Sequence, residues 1–486
     1  MMRKRTVALL VIAMMVLSSV LTLAVVNLPS FVQRASMGQG VIGALSGGGL
    51  TDQEQSKLST VASLIENNYY QNVDENKLVD GAINGMLEAL GDPYSSYMDT
   101  DTAGQFSESI AGSFTGIGAE VSEDNGNVVI VSPIKGSPAE QAGLRAKDVI
   151  VSVNGESLSG KDLNAAVAKI RGEKGSTAKL EVKRAGSSET MTFDIVRDDI
   201  AMETVYARMT DDKIGVIEIT QFSLNTAQRF EEELQKLDAK GMKGLVIDVR
   251  NNPGGVLSVV EEMAEQFVPK GKTLVQVEDK NGQRQVTDSN GQGVNYPIAV
   301  VTNGGSASAS EILAGALKQS AGATLYGETT YGKGTVQTSM DNLFNDGSLI
   351  KITIAKWLTP NGDWIHKKGI KPDVEVAPPD YYTVTPINKD KTLKYDMNNN
   401  DVKSAQIMLA GLDYTVDRKD GYFDRETEAA VRSFQQDHKL TGTGTIDAKT
   451  AAALEAELIK HIQDPQYDVQ LNKAIAGVKQ KLSATK

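Results

Sequence analysis

Pro297-Ile298-Ala299-Val300-Val301-Thr302-Asn303-Gly304-Gly305-Ser306-Ala307-Ser308-Ala309-Ser310-Glu311-Ile312 is the most informative stretch of this chain. Residues 297–301 form a short apolar run bounded by turn formers, the pattern of a buried strand. From Ile312 to Leu317 the apolar residues recur at helical spacing. Small residues and three alternating serines lie between. A strand, a small-residue turn and a helix place a serine at a helix N-terminus. The first backbone N–H groups there lack partners and favour developing negative charge. A nucleophilic hydroxyl is wanted in such a place. The same serines also suit N-cap and turn positions, and the stretch alone leaves both readings open.

The flanking sequence repeats this alternation. Lys213 to Ile219 reads as a strand and Thr226 to Leu237 as a helix. Gly244 to Arg250 is a buried strand running into Asn251-Asn252-Pro253-Gly254-Gly255, followed by a helix from Leu257 to Phe267. Residues 198–380 therefore read as a layered α/β domain. Ligands of such sheets bind beyond the carboxyl ends of the strands, where both the Asn-Asn-Pro-Gly-Gly run and the serine stretch fall.

With 486 residues the chain holds several domains. Its net charge of −12 argues against a nucleic-acid partner. It has no cysteine, which removes disulfides, thiolate metal sites and cysteine nucleophiles. Arg3-Lys4-Arg5 precedes an apolar run from Val7 to Val26, long enough to span a bilayer and longer than a removable signal usually is. Residues 1–30 read as a signal anchor that leaves the rest of the chain outside the cytoplasm, and 31–50 as a linker. Residues 51–111 look helical, and these arms make a homodimer plausible.

Residues 112–197 change character, with short strands, the capped helix Ser137-Pro138-Ala139-Glu140-Gln141-Ala142-Gly143-Leu144, and the strand Asp148 to Val153 ending in Asn154-Gly155. This order resembles a PDZ domain. That likeness implies capture of a protein C-terminus as an added strand, with Gly116-Ile117-Gly118 as the carboxylate loop. Residues 395–462 are patterned as helices around Asp420-Gly421-Tyr422-Phe423-Asp424-Arg425-Glu426-Thr427 and resemble the small three-helix peptidoglycan-binding domain, so peptidoglycan is a candidate partner. Residues 463–486 read as a loose, charged tail.

Chemistry is constrained by the three histidines, His366, His438 and His461, none of which lies in a stretch typical of a catalytic base. Lysine can replace histidine as the base when it is desolvated. Lys333, between Gly332 and Gly334, is a candidate. Gly327 to Lys333 has the spacing of a phosphate-binding loop, but Gly334 stands where that motif needs Ser or Thr. Ser-x-x-Lys occurs at Ser176–Lys179 and Ser483–Lys486, in contexts that do not begin a buried helix.

Over roughly residues 55–380 the chain resembles the carboxy-terminal processing (tail-specific) peptidases, exported serine peptidases that use a Ser-Lys pair. The likeness rests on Asp248-Val249-Arg250-Asn251-Asn252-Pro253-Gly254-Gly255, Ser306 to Ile312, Gly332-Lys333-Gly334-Thr335-Val336-Gln337, Thr359-Pro360-Asn361-Gly362 and Gly369-Ile370-Lys371-Pro372-Asp373. It implies Ser308 as nucleophile, Lys333 as general base and Gln337 as the residue orienting the lysine. The N–H groups of Ala309 and of Gly254 or Gly255 would form the oxyanion hole. It also implies a crotonase/Clp-like core, protein substrates with free C-termini, and no metal or organic cofactor. Asp248 and Arg250 read as an ion pair shaping their loop. A wall-associated scaffold with an inactive core is the alternative.

Overall fold

The computed structural model describes residues 49–124, 126–161, 163–184, 190–341 and 343–484. The proposed anchor, Val7 to Val26, lies outside them. Among the described residues no helix is long and apolar enough to cross a membrane. The described residues hold twelve α-helices and divide into two compact units.

One unit comprises the described residues up to Ser107 together with Thr335–Ala355. Helix Asp52–Asn68 opens with a capping box, in which Glu54 Oε2 accepts from the Thr51 N–H at 2.8 Å. Neither this helix nor Glu75–Glu88 contains a buried residue. Strand Ser96–Met98 pairs antiparallel with residues 349–351.

The second unit contains the layered domain. Its six-stranded sheet runs in simple sequence order: β1 (Val205–Met209), β2 (Ile214–Ile219), β3 (Gly244–Asp248), β4 (Ile298–Thr302), β5 (Thr324–Gly327) and β6 (Val374–Glu375). The first pair is antiparallel and the others are parallel. Strands β3 and β4 are buried at every position, the burial that a two-sided sheet demands. The connecting helices are α1 (Thr226–Ala239), α2 (Leu257–Glu265) and α3 (Ala309–Ser320).

The opposite face of the sheet is covered by α4 (Val469–Ala484). Its Leu471, Ala474 and Val478 pack with Ile214, Val216, Val246, Ala299, Val301 and Tyr326. The expected loose tail is thus a helix of the core, because its apolar residues fall on one stripe at helical spacing. Gly477 admits the close contact: a Cβ there would lie 1.8 Å from Tyr326 Oη.

The PDZ-like segment forms a six-stranded sheet around Ile130, Ile150, Leu180 and Ile195. The run from Phe114 to Val121 breaks at Gly118. That residue has φ +76°, and a Cβ there would lie 2.3 Å from Ser137 Cβ. Ser113–Gly116 pairs instead with Asp198–Ala201, outside the PDZ-like sheet.

Three helices, Asn400–Gly411, Arg425–Asp437 and Ala448–Gln463, build the next domain around Phe423, Phe434 and Leu454. Asn399, Asp424 and Asp447 cap them in the same way, each side chain accepting from the N–H three residues on.

Burial in α2 pushes the Glu261 carboxyl up from its ordinary value of 4.5; a bond from Thr287 opposes this, and Glu265 adds to it. A raised folded-state value means stability that is full below the unfolded value and lost as pH rises through the folded one. Glu261→Gln is expected to melt higher than wild type at pH 7–8, with the difference closing toward pH 4. Thermal melts across that range check this, and equal melting at pH 8 would contradict it.

Candidate active site

Strands β3 and β4 are parallel neighbours, with Asp248 opposite Val301, so the loops following them leave the sheet at one edge. Hydrogen bonds stitch the two loops together. Asn251 N–H donates to Asn303 Oδ1 at 2.9 Å, and Asn303 Nδ2 donates back to Asn251 Oδ1 at 2.8 Å. The Asn252 carbonyl accepts from Ala307 N–H at 3.0 Å and from the Ser310 hydroxyl at 2.8 Å. The Ser306 hydroxyl donates to the Val249 carbonyl at 2.8 Å. Ser306 and Ser310 are fully buried with their hydroxyls spent on loop carbonyls, whereas Ser308 is only partly buried.

Ser308 stands just before α3 with φ +55° and ψ −113°. A non-glycine residue in so sparsely populated a region costs about 1–3 kcal/mol and persists only where its surroundings hold it. Two features hold it. The Ser308 N–H donates to Glu311 Oε2 at 2.9 Å. Gly254, at φ +108°, lies flat against it: a Cβ on Gly254 would be 2.8 Å from the Ala307 carbonyl oxygen and 2.9 Å from Ser308 Cβ.

Glu311 is fully buried. Besides Ser308 N–H, its carboxylate accepts from Lys333 N–H at 2.8 Å, Gly332 N–H at 2.7 Å and the Thr330 hydroxyl at 2.5 Å. One side chain therefore fixes the backbone of both Ser308 and Lys333. The far side of Lys333 is fixed by the two tryptophans of the chain. Trp357 Nε1 donates to the Lys333 carbonyl and Trp364 Nε1 to the Gly334 carbonyl, each at 2.8 Å.

Of the two glycines expected in an oxyanion hole, Gly254 has its N–H engaged with Asn252 Oδ1 at 2.9 Å. Gln337 belongs to the first unit, where its Nε2 donates to Thr335 Oγ1 at 2.9 Å and Thr353 Oγ1 at 3.2 Å. In the PDZ-like segment the carbonyl of Ile117 accepts from Ala139 N–H, and that of Gly118 from Ile134 N–H and the Ser137 hydroxyl. Each histidine stacks on an aromatic ring: His366 on Trp364, His438 on Phe434 and His461 on Tyr467.

Four supporting residues went unread in the sequence: Glu311, Asn252, Trp357 and Trp364. Glu311 had a signal, since Ser308-x-x-Glu311 has capping-box spacing. The others had none. Every partner of Glu311 is a donor, so an amide matches only half of its role. Glu311→Ala and Glu311→Gln are both expected to destabilise the protein, at about 1–3 kcal/mol per buried donor left unmatched. Urea unfolding measures this, and wild-type stability in Glu311→Gln would show that no carboxylate is needed.

Comparison with known proteins gives the family. The model of peptidase family S41 matches residues 213–376, and a PDZ domain model matches 129–184. A putative peptidoglycan-binding domain matches 398–454, and the N-terminal domain of the activating protease CtpB matches 30–102. The chain is 47% identical over 435 residues to the carboxy-terminal processing protease CtpB of Bacillus subtilis (strain 168), covering 88% of this chain and 89% of that one. It is 46% identical over 432 residues to the carboxy-terminal processing protease CtpA of the same strain, covering 89% and 91%. A probable CtpA-like serine protease of Staphylococcus aureus (strain N315) is 41% identical over 410 residues, covering 84% and 82%. Identity of that order across nearly the whole of both sequences leaves one conclusion: the chain belongs to peptidase family S41, as a serine-type carboxy-terminal processing peptidase with a PDZ domain and a C-terminal peptidoglycan-binding domain.

Proposed function

We propose that this peptidase cleaves exported proteins outside the cytoplasm, capturing them by their C-termini, with Ser308 as nucleophile and Lys333 as its base. The observation that carries the reading is the buried Glu311 carboxylate, which holds the backbone of both residues. The Ser308 hydroxyl attacks the scissile carbonyl carbon while the neutral Lys333 amine takes its proton. The negative charge that develops on the carbonyl oxygen meets the N–H of Ala309 at the start of α3. Since Gly254 N–H is spent on Asn252, the second donor is assigned to Gly255. Lys333 then protonates the leaving amine, and water hydrolyses the acyl-enzyme. Gln337 keeps the lysine-orienting role that the family motif implies.

The PDZ domain and its Gly116-Ile117-Gly118 loop are assigned the substrate's terminal carboxylate. The peptidoglycan-binding domain favours a place at the wall, and the apolar run Val7 to Val26 a single membrane anchor. The layered core is read as crotonase/Clp-like. The exposed Leu58, Val61 and Leu64 of helix Asp52–Asn68 favour a homodimer.

Hydrolysis of casein by wild type, Ser308→Ala and Lys333→Ala tests the dyad. Each substitution is expected to reduce the rate by roughly 10³-fold or more. A Ser308→Ala protein as active as wild type would move the nucleophile elsewhere. A short peptide with a free C-terminus is expected to change the wild-type rate and its C-terminal amide to leave it unaltered; equal effects would remove carboxylate recognition.

A further inference from the structure

Arg250 sits in the loop that ends in Gly254 and Gly255, and only 15% of its side chain is exposed. All five of its guanidinium N–H donors find acceptors. Nε donates to Asp248 Oδ1 at 3.0 Å and Oδ2 at 3.1 Å, and Nη2 donates to Asp248 Oδ2 at 2.6 Å. The remaining bonds reach far along the chain. Nη2 donates to Asp468 Oδ2 at 2.5 Å, and Nη1 donates to Asp468 Oδ1 and Gln470 Oε1, each at 3.0 Å. Burial alone would lower the guanidinium's pKa, but the carboxylates of Asp248 and Asp468 more than offset it and raise the pKa, so the charge persists at any working pH.

Asp468 and Gln470 lie beyond the matched peptidase segment, after the whole peptidoglycan-binding domain. Both are anchored. Asp468 caps α4, accepting from Leu471 N–H at 3.0 Å, and Gln470 Nε2 donates to the Val376 carbonyl at 2.7 Å. With Asp248 at the end of β3, they clamp Arg250 from two sides.

The next residues in the loop are Asn251, at φ +55°, and Asn252, whose carbonyl holds Ala307 and Ser310 on either side of Ser308. We propose that Asp468 and Gln470 are positioning residues for catalysis: acting through Arg250, they fix the loop that sets Gly254 and Gly255 beside Ser308. This rests on the Ser308 reading above. Without Asp468 the largely buried guanidinium loses two of its acceptors. The Arg250 side chain then turns outward and takes the loop with it. A displacement of about 1 Å at reacting groups can cost on the order of 100-fold in rate.

The test compares the full chain with Asp468→Asn, Asp468→Glu and Val478→Ala. Asparagine still caps a helix, so Asp468→Asn removes the charge and spares the cap. Val478 lies in the same helix, buried against the sheet and outside the bonds to Arg250, so Val478→Ala loosens α4 without touching the clamp. Casein hydrolysis is measured well below every melting temperature, together with the rate at which a fluorophosphonate labels Ser308. Asp468→Asn is expected to lower kcat at least about 10-fold with little change in KM, and to slow labelling similarly. Asp468→Glu should recover part of both, and Val478→Ala should retain wild-type kcat despite its lower melting temperature. Wild-type kcat in Asp468→Asn, or an equal loss in Val478→Ala, overturns the proposal. Ser308→Ala in the same assay separates this failure from that of the dyad, since persistent hydrolysis there would strike the nucleophile assignment alone.

Discussion

Removing a carboxylate from water is costly unless donors surround it, and this constraint shapes the catalytic end of the sheet. Glu311 is fully buried, so its oxygens must collect donors from whatever lies within reach. They take backbone N–H groups from Ser308, Gly332 and Lys333 and a hydroxyl from Thr330. Those groups come from two segments that share no strand. The requirement that one buried charge be satisfied becomes a requirement that two segments keep a fixed relation. The unusual backbone of Ser308 is affordable for the same reason.

A second layer of bonds supports the first. Asn252 offers its carbonyl to Ala307 and Ser310, its Oδ1 to Gly254, and its Nδ2 to the Ile219 carbonyl. It thereby joins the ends of β2, β3 and β4 at one buried side chain. The alternating serines follow from this arrangement. Two of the three serve as struts, and the middle one is left partly exposed between them.

Much of this was legible in the sequence. The strands around Val246 and Val300, the turn-rich loops at their carboxyl ends and the capped helices of the terminal domain all carry local signals. Ser308 stands out as a serine between a strand and a helix, and Lys333 as a lysine between two glycines. What stayed hidden is long-range. Nothing near Trp357 or Trp364 announces that their indoles will hold the carbonyls beside the lysine, because those contacts exist only after the sheet is assembled. Helix α4 is a different case. Leu471, Ala474, Val478 and Leu482 form a helical stripe behind the cap Asp468, and a high density of lysine and glutamine obscured it. The break at Gly118, where a positive φ interrupts the run from Phe114 to Val121, was hidden for the same reason as the tryptophan contacts.

Helix α4 closes the apolar face of the sheet from a position in the chain behind an entire folded domain. Polypeptides are made from the N-terminus, and domains tend to fold as they emerge. Ser308, Lys333 and the loop of Gly254 and Gly255 are therefore synthesised while one side of the sheet is still bare. The three-helix domain, whose contacts are local, can fold in that interval. The peptidase core is completed only when the chain returns to it.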